Sequence, residues 1–195
     1  MTVAIVRYNA GNIRSVTNAL ERIGAAYLVT DSPEELQQAE RIIFPGVGEA
    51  SSAMSHLRAA GIDRVLGETS APVLGICLGL QLLCADSEEG NTSCLGIIRG
   101  RVSRFVTPRK IPHTGWSQVT NLKHPIFEGI PEGSHFYFVH SYRLEVCADT
   151  VAQSVYGERF AAAAAARNFV GVQFHPEKSA EVGERLLRNF VEWSV

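Results

Sequence analysis

The sequence lacks long apolar runs and an excess of charge of either sign. No stretch approaches the ~18 consecutive apolar residues of a membrane helix. The 18 Lys and Arg residues nearly balance the 20 Asp and Glu residues, which gives a formal net charge of −2. We therefore expect no membrane segment and no basic surface for nucleic acid. The N-terminus has neither a charged start nor a small-residue cleavage site, so no signal peptide is predicted.

Cysteine and metal-ligand patterns are sparse as well. The four cysteines, Cys77, Cys84, Cys94 and Cys147, are not spaced as a C-x-x-C pair or a zinc site. The chain is also too long to need disulfide staples. The six histidines show no metal-ligand spacing. These absences predict reduced thiols in a cytoplasmic protein, with no metal and no cofactor.

Apolar residues make up 46% of the 195 residues, which is enough for one sizeable core. In the first half, strand-like runs alternate with stretches that have helical spacing. The runs predicted as strands are residues 3–8, 26–30, 41–44 and 72–76. Asn9 to Asn12 is predicted to be a turn, Asn12 to cap the first helix, and Pro45 to stop the third strand. The alternation predicts an α/β protein with an open, mostly parallel sheet and helices on both faces.

The second half contains more strand-like sequence and no linker or repeat. Strands are predicted for residues 97–105, 135–146, 151–156 and 169–174. The alanine run 161–166 is assigned to a hairpin arm, and Val182, Leu186, Phe190 and Trp193 to one face of a closing helix. We therefore expect extra antiparallel strands in a mixed sheet, and a single domain over residues 1–195.

The segment Gly75-Ile76-Cys77-Leu78-Gly79 joins an apolar strand to a helical run. A glycine-x-nucleophile-x-glycine turn at such a junction forces its central residue into a strained, exposed conformation. The helix N-terminus favours a thiolate at Cys77, and the N–H of Leu78 would point toward an oxyanion beside the sulfur. By itself, the pattern is equally compatible with a buried structural cysteine in a glycine-rich turn.

A thiolate nucleophile needs a base, and the base needs an acceptor that orients it. His175 lies at the end of a predicted strand, and Glu177 is placed to accept its ring N–H. Pro45-Gly46-Val47-Gly48 follows another predicted strand, and its two glycines let backbone N–H groups approach a ligand. Because ligands bind beyond the carboxyl ends of parallel strands, we expect chemistry at these loops.

Pro45 to Gly48, Gly75 to Gln81 and Gln173 to Glu177 together resemble the three signatures of the class I, triad-type glutamine amidotransferases. The resemblance implies a flavodoxin-like fold and the hydrolysis of glutamine to glutamate and ammonia. It implies that Cys77 is the nucleophile, His175 the general base and then acid, and Glu177 the orienting carboxylate. The substrate and oxyanion contacts that it implies are Gly46, Val47, Gly48, Leu78, Gln81, His140, Ser141 and Tyr142.

A narrower resemblance, to the glutaminase subunits of imidazole glycerol phosphate synthases, lies in Tyr8 to Val16, Pro112 to Trp116, Tyr137 to Tyr142 and His175 to Ser179. Such subunits pass ammonia to a (β/α)8-barrel cyclase subunit in histidine biosynthesis, as one half of a heterodimer. The resemblance implies that this partner is contacted by Asn12, Trp116, Tyr137 and Lys178. Residues that depart from those usual in the family are Arg7, Asn9, Leu80 and Thr114.

Three alternatives stay open at this point. The first is a glutaminase subunit of another pathway, such as anthranilate or pyridoxal phosphate synthesis; the Pro112 to Trp116 segment and Lys178-Ser179 argue against it. The second is a catalytically silent structural subunit. An intact Cys-His-Glu set argues against it, because a silent subunit has no physical reason to retain all three residues. The third is a cysteine-dependent hydrolase or peptidase with a larger substrate.

Overall fold

The computed structural model describes residues 2–8 and 12–194. Within these ranges the strands are β1 Thr2–Val6, β2 Ala26–Thr30, β3 Arg41–Gly46, β4 Val73–Cys77, β5 Asp86–Ser87, β6 Thr92–Ser93, β7 Arg101–Arg104, β8 His113–Gln118, β9 His135–His140, β10 Tyr142–Leu144, β11 Thr150–Tyr156, β12 Glu158–Ala166 and β13 Phe169–Val172. The helices are α1 Ile13–Arg22, α2 Pro33–Gln37, α3 Ala50–Ala60, α4 Ile62–Glu68, α5 Leu78–Leu83 and α6 Ala180–Glu192. Short 3-10 turns cover Glu89–Asn91, Pro125–Phe127 and Pro176–Lys178.

The main sheet has seven strands in the order β11-β12-β13-β4-β3-β1-β2. The strands from β13 to β2 are parallel, whereas β11 pairs antiparallel with β12 and β12 with β13. A four-stranded sheet, β10-β7-β5-β6, and the antiparallel pair β8-β9 complete the structure. The predicted open, mostly parallel sheet with extra antiparallel strands is confirmed, and the alanine run lies in β12 as predicted.

Alternate side chains of the central strands point into two separate cores, which is why helices cover both faces of the sheet. In β1, Val3 and Ile5 pack into one core with the buried faces of α1 and α6. Ala4 and Val6 point the other way and pack into the second core, with α2, α3, α4 and α5. The carboxyl ends of β3 and β4 therefore lie between two helical layers.

The prediction that Pro45 stops the third strand is wrong. β3 continues through Pro45 to Gly46, and these two residues lie opposite Ile76 and Cys77 of β4. Proline is accommodated there because it lies next to the end of the strand, where one missing N–H donor costs little. The extension brings the glycine loop directly beside Cys77.

Two predicted strands of the second half are also wrong in their bounds. Residues 97–100 are not part of β7, because the N–H groups of Ile97 and Ile98 donate to the carbonyl oxygen of Leu83 at the end of α5. The predicted strand 135–146 divides at Ser141 into β9 and β10, which belong to different sheets. β8 pairs with β9 along its full length and has no counterpart among the predicted strands.

The expected turn from Asn9 to Asn12 lies outside the described residues except for Asn12. Across residues 2–8 and 12–194, none of the helices has both the length and the apolar content that crossing a membrane requires. The same ranges contain no group of three or more His, Cys, Asp or Glu side chains arranged to hold a metal ion.

Candidate active site

Cys77 occupies a strained turn between β4 and α5. Its φ and ψ are 55° and −107°, a backbone conformation that a residue with a side chain rarely adopts. Gly79 permits this turn, because a Cβ atom there would overlap the carbonyl oxygen of Phe44 in β3. Gly75 is similarly close-packed, with its Cβ position 2.9 Å from the backbone of Gly79 and Leu80. The strained conformation predicted for Cys77 is confirmed, but the predicted exposure is wrong, because the residue is buried at 7% exposure.

The buried side chains of His175 and Glu177 lie beside this turn. The 3-10 turn Pro176–Lys178 brings Glu177 back over the ring of His175, where its Oε1 lies 2.7 Å from Nδ1. His175 Nε2 is buried and makes no hydrogen bond within the described part of the chain. The Cys77 Sγ atom lies 3.7 Å from the Gln173 amide nitrogen and 3.8 Å from the Val139 carbonyl oxygen.

The electrostatic setting of His175 favours its protonated form. Burial lowers the pKa of His175, but the Cys77 thiolate and the hydrogen-bonded Glu177 carboxylate outweigh it and raise the pKa to about 10. Because the ring donates Nδ1–H to Glu177, Nε2 is the nitrogen that exchanges a proton with the sulfur or with a leaving group. The three residues can therefore act as nucleophile, acid–base and orienting carboxylate.

Asn12 is the N-cap residue of α1, as predicted, and its side chain belongs to this group. The expected capping hydrogen bond from that side chain is absent. Instead, its amide nitrogen donates to Glu177 Oε1 and lies 3.4 Å from His175 Nδ1. A hydrogen bond to a buried carboxylate is stronger than one between neutral groups, which favours the side-chain orientation that reaches Glu177. Asn12 is 8% exposed, which differs from the surface position expected of a partner contact.

A cavity of about 300 Å³ opens at Cys77. Its lining includes every predicted substrate and oxyanion residue except Gly46. Three further residues line it that the sequence did not predict for the site: Glu89, Pro112 and Val139. A larger cavity, about 480 Å³, lies near Ala39, Thr69 and Pro72, but no cysteine or histidine lines it. Of these two cavities, only the smaller one therefore holds the predicted thiol nucleophile.

The glycine loop lies where the expected oxyanion donors must be. Gly46 is opposite Cys77 in the β3-β4 ladder, so Val47 and Gly48 leave the sheet beside the nucleophile. Gly46 itself is buried, and a Cβ atom there would overlap the Tyr8 hydroxyl and lie 2.8 Å from Leu78 Cβ. Gly48 has a φ of +111°, a conformation that favours glycine.

Gln81 lines the cavity, and its amide nitrogen has two partners within the protein. It donates to the carbonyl oxygen of Tyr142 and to Gln173 Oε1, both at 3.0 Å. Both N–H groups of the Gln81 amide are thus bonded within the protein. Gln81 therefore contributes to the site by holding the Tyr142 backbone and the Gln173 side chain in place.

Glu89 is the one acidic side chain among the residues described along this cavity. Burial raises the pKa of Glu89, and the hydrogen bond that it accepts from the Ala50 N–H, at 2.8 Å, works in the opposite direction. No local pattern in the sequence distinguishes it, because it lies in a short 3-10 turn that only tertiary packing brings to the cavity.

Three of the four residues expected to contact a partner, Trp116, Tyr137 and Lys178, lie on elements that are bonded to each other. Trp116 of β8 lies directly opposite Tyr137 of β9, with ring centroids 6.0 Å apart, and is 52% exposed. Lys178 is exposed at the end of the turn that carries Glu177. The Tyr137 N–H donates to Ser179 Oγ, so β9 is directly bonded to that turn.

The chain resembles known proteins over nearly its full length. A sequence model of the class-I glutamine amidotransferase family matches residues 5–193. A Bacteroides fragilis (strain YCH46) protein named imidazole glycerol phosphate synthase subunit HisH is 50% identical and covers 98% of this chain and 100% of the relative. Proteins of the same name from Bacteroides thetaiotaomicron and Yersinia pseudotuberculosis are 49% and 43% identical, with the same coverage.

Solved structures have the same fold at much lower identity. A crystal structure described as a glutamine amidotransferase superposes with a TM-score of 0.76 at 22% identity, covering 97% of both chains. The structure of PurLQS from Thermotoga maritima superposes with a TM-score of 0.72 at 17% identity, covering 98% of this chain and 97% of the matched one. At these identities the similarity bears on the fold alone.

Proposed function

Because the chain belongs to the class I glutamine amidotransferases, and within them to the HisH subunits of imidazole glycerol phosphate synthase, we propose that Cys77, His175 and Glu177 hydrolyse glutamine. The chain is a glutaminase of histidine biosynthesis that works with a partner subunit. The observation that supports the residue assignment is the buried His175 ring, whose Nδ1 lies 2.7 Å from Glu177 Oε1 and whose Nε2 makes no hydrogen bond within the described residues.

In the first half-reaction, the Cys77 thiolate attacks the side-chain carbonyl carbon of glutamine. The carbonyl oxygen becomes an oxyanion, and the protonated Nε2 of His175 gives its proton to the amide nitrogen. The C–N bond then breaks, ammonia leaves and a thioester to Cys77 remains. Glu177 stabilises the imidazolium throughout, because it accepts the Nδ1–H hydrogen bond.

In the second half-reaction, neutral His175 takes a proton from water while the water oxygen attacks the thioester carbonyl carbon. The C–S bond breaks, glutamate leaves, and the thiolate and imidazolium are restored. One water and one glutamine are thereby converted to one glutamate and one ammonia.

Backbone donors and one carboxylate support the proposed binding mode. The Leu78 N–H at the start of α5 and the Val47–Gly48 backbone are assigned to the oxyanion, since both flank Cys77. Glu89 is assigned to the α-ammonium group of glutamine, because a buried cation needs a charged partner. Residues 140–142 form the wall on the other side of the substrate.

The proposed partner is a (β/α)8-barrel cyclase subunit, bound as a heterodimer at the face formed by Trp116, Tyr137 and Lys178. Asn12 is left out of this face, because it is buried against Glu177. The complete enzyme would act as a lyase that uses the ammonia to form imidazole glycerol phosphate. The HisH relatives favour this pathway over anthranilate or pyridoxal phosphate synthesis, and an intact triad disfavours a silent subunit.

Two further parts of the proposal concern the chain as a whole. One is a single domain over residues 1–195, supported by the family match over residues 5–193. The other is a cytoplasmic location, supported by the four cysteines, all of which are free. Neither a cofactor nor nucleic acid has a role in the proposed reaction.

The test is glutamate release by the purified chain, measured with and without the cyclase partner and its nucleotide ligand. Cys77→Ser is expected to abolish glutamine hydrolysis but to leave ammonia-driven synthesis by the complex. The control is Cys94→Ser, which changes a thiol outside the site and is expected to preserve both activities. Loss of both activities in a folded Cys77→Ser complex would contradict the proposal and assign Cys77 to folding or docking.

A further inference from the structure

Two buried histidines and a serine form a hydrogen-bond network beside the cavity at Cys77, which His140 itself lines. His140 Nδ1 lies 2.7 Å from the carbonyl oxygen of Tyr142. His140 Nε2 lies 3.1 Å from His113 Nδ1, and His113 Nε2 lies 2.9 Å from Ser117 Oγ. The proposed hydrolysis uses none of these ring nitrogens, so their arrangement requires a separate explanation.

Each hydrogen bond in this network determines the next. A backbone carbonyl oxygen can only accept, so His140 Nδ1 carries the proton and His140 Nε2 must accept. His113 Nδ1 must then be the donor to His140, which leaves His113 Nε2 to accept from the Ser117 hydroxyl. Both rings therefore have one defined tautomer, with the proton on Nδ1.

The surroundings keep the two rings neutral and in place. Burial lowers the pKa of His140 to about 3 and that of His113 to about 4, so both are uncharged near neutral pH. The His113 ring stacks between Tyr156, at a centroid distance of 4.0 Å, and Phe138, at 4.9 Å. Rotation of the ring, which would break both of its hydrogen bonds, is thus opposed by packing.

The series of hydrogen bonds continues from the Tyr142 carbonyl group toward Cys77. The carbonyl oxygen of Tyr142 accepts a second hydrogen bond, from Gln81, and Gln81 also donates to Gln173 Oε1. The Gln173 amide nitrogen is the group that lies 3.7 Å from Cys77 Sγ. The Tyr142 carbonyl is thus the point at which the histidine pair meets the residues behind Cys77.

We propose that His113 and His140 are positioning residues that hold the Tyr142 carbonyl, and with it the 140–142 wall of the glutamine cavity, through this defined chain of tautomers. His140 thereby serves the substrate through its backbone, since both of its ring nitrogens are bonded to the protein. The identity of the substrate rests on the proposed function.

The tautomers can be tested without turnover, by ¹⁵N NMR of the histidine rings in the unsubstituted protein at pH 7. For both His113 and His140 we expect a protonated Nδ1 and an unprotonated Nε2. A proton on Nε2 of either ring, or a charged ring, would overturn the inference. This measurement is independent of Cys77 and of glutamine, so its failure is distinct from failure of the proposed function.

Steady-state kinetics of the complex with its partner then tests the consequence. His113→Leu removes both ring hydrogen bonds at similar volume. It is expected to raise KM for glutamine about tenfold, with kcat changed less than about twofold, because the buried neutral hydrogen bond to His140 no longer holds the cavity wall. His113→Asn keeps an N–H group at the position of Nδ1 and is expected to restore most of the affinity. The control is His124→Leu. It removes a half-buried histidine that packs on Trp193 and takes no part in the hydrogen bonds of His113 and His140.

Equal increases in KM for His113→Leu and His113→Asn would mean that ring packing matters and the hydrogen bonds do not, which would overturn the inference. A loss confined to kcat would do the same, since a positioned cavity wall acts on binding. If His113→Leu does not fold, the comparison is made between His113→Asn and the unsubstituted protein, together with the ring tautomers, and a tenfold KM increase in His113→Asn would count against the inference.

Discussion

Among single residues, His175 has a charge that follows from opposing effects. Burial lowers its pKa, whereas the Cys77 thiolate and the Glu177 carboxylate raise it, and the result is about 10 against an ordinary value of 6.5. Because the folded pKa is raised, the charge interaction contributes stability that is fully present below about pH 6.5. That stability is lost as the pH rises toward the folded value. The raised pKa therefore favours a protonated His175 ring near neutral pH.

The pH dependence of glutamine hydrolysis should reflect this raised pKa. We expect the alkaline decrease in kcat/KM of the complex to occur near pH 10 rather than near neutrality, as the imidazolium loses its proton. Glu177→Gln removes the neighbouring carboxylate, so its alkaline decrease should move to lower pH and its rate should fall. The matched control is Glu181→Gln, an exposed carboxylate on α6. An unchanged profile in Glu177→Gln would show that Glu177 does not raise the pKa of His175.

Among the helices and strands, the site depends on how closely α5 approaches β3. The first turn of α5 packs against the end of β3, where Gly79 contacts the carbonyl group of Phe44. The same approach places Gly46 opposite Cys77. A strained nucleophile is thus maintained by two backbones in direct contact, and a side chain between them would separate the nucleophile from the oxyanion loop.

Gly79→Ala should therefore destabilise the protein by about 3 kcal/mol or more, because the added methyl group would overlap a backbone oxygen that cannot move aside. Gly67→Ala provides a matched control in α4, where no atom lies within 4 Å of the added Cβ. That change should be neutral or stabilise the helix by up to about 1 kcal/mol. Urea unfolding of the two variants measures the difference. Equal stabilities would contradict the close approach seen at Gly79.

Across the molecule as a whole, the proposed partner surface is structurally connected to the triad. The His175 N–H donates to the Tyr137 carbonyl oxygen at 2.9 Å, so β9 and the turn that carries Glu177 are bonded at two points. Lys178 is the exposed residue next to Glu177 on that turn. A partner that contacts Lys178 and Trp116 would thus bind elements that hold His175, the proposed base.

Lys178→Ala should reduce the stimulation of glutamine hydrolysis by the partner several-fold and leave the melting temperature unchanged. The physical reason is the loss of one exposed charge, which contributes roughly 0.2–1 kcal/mol when paired. Titration of the partner into each variant, with glutamate release as the readout, measures this effect. Lys123→Ala, the control, removes another exposed lysine outside this turn. Equal stimulation of both variants would reject the assignment of Lys178.

Much of the active site was predictable because its parts are local in sequence. The glycines around Cys77, the loop at Gly46 and the His175–Glu177 pair each lie where a strand ends, and parallel strands bring such ends together. The role of Asn12 was not predictable from local rules. A cap at the start of α1 is the default for asparagine, and its actual partner, Glu177, lies 165 residues away in the sequence.

Local sequence was enough to predict the alternation of strands and helices and to propose Cys77 as the nucleophile and His175 as its base, because periodicity and turn chemistry act over a few residues. The contacts of Asn12, the placement of Glu89 in the cavity and the pairing of His113 with His140 depend instead on the folded chain. The physical reason is that a buried polar group bonds to whichever partner the packed elements bring within about 3 Å. That choice depends on the register of β8 against β9 and on the end of β13, which no local pattern specifies.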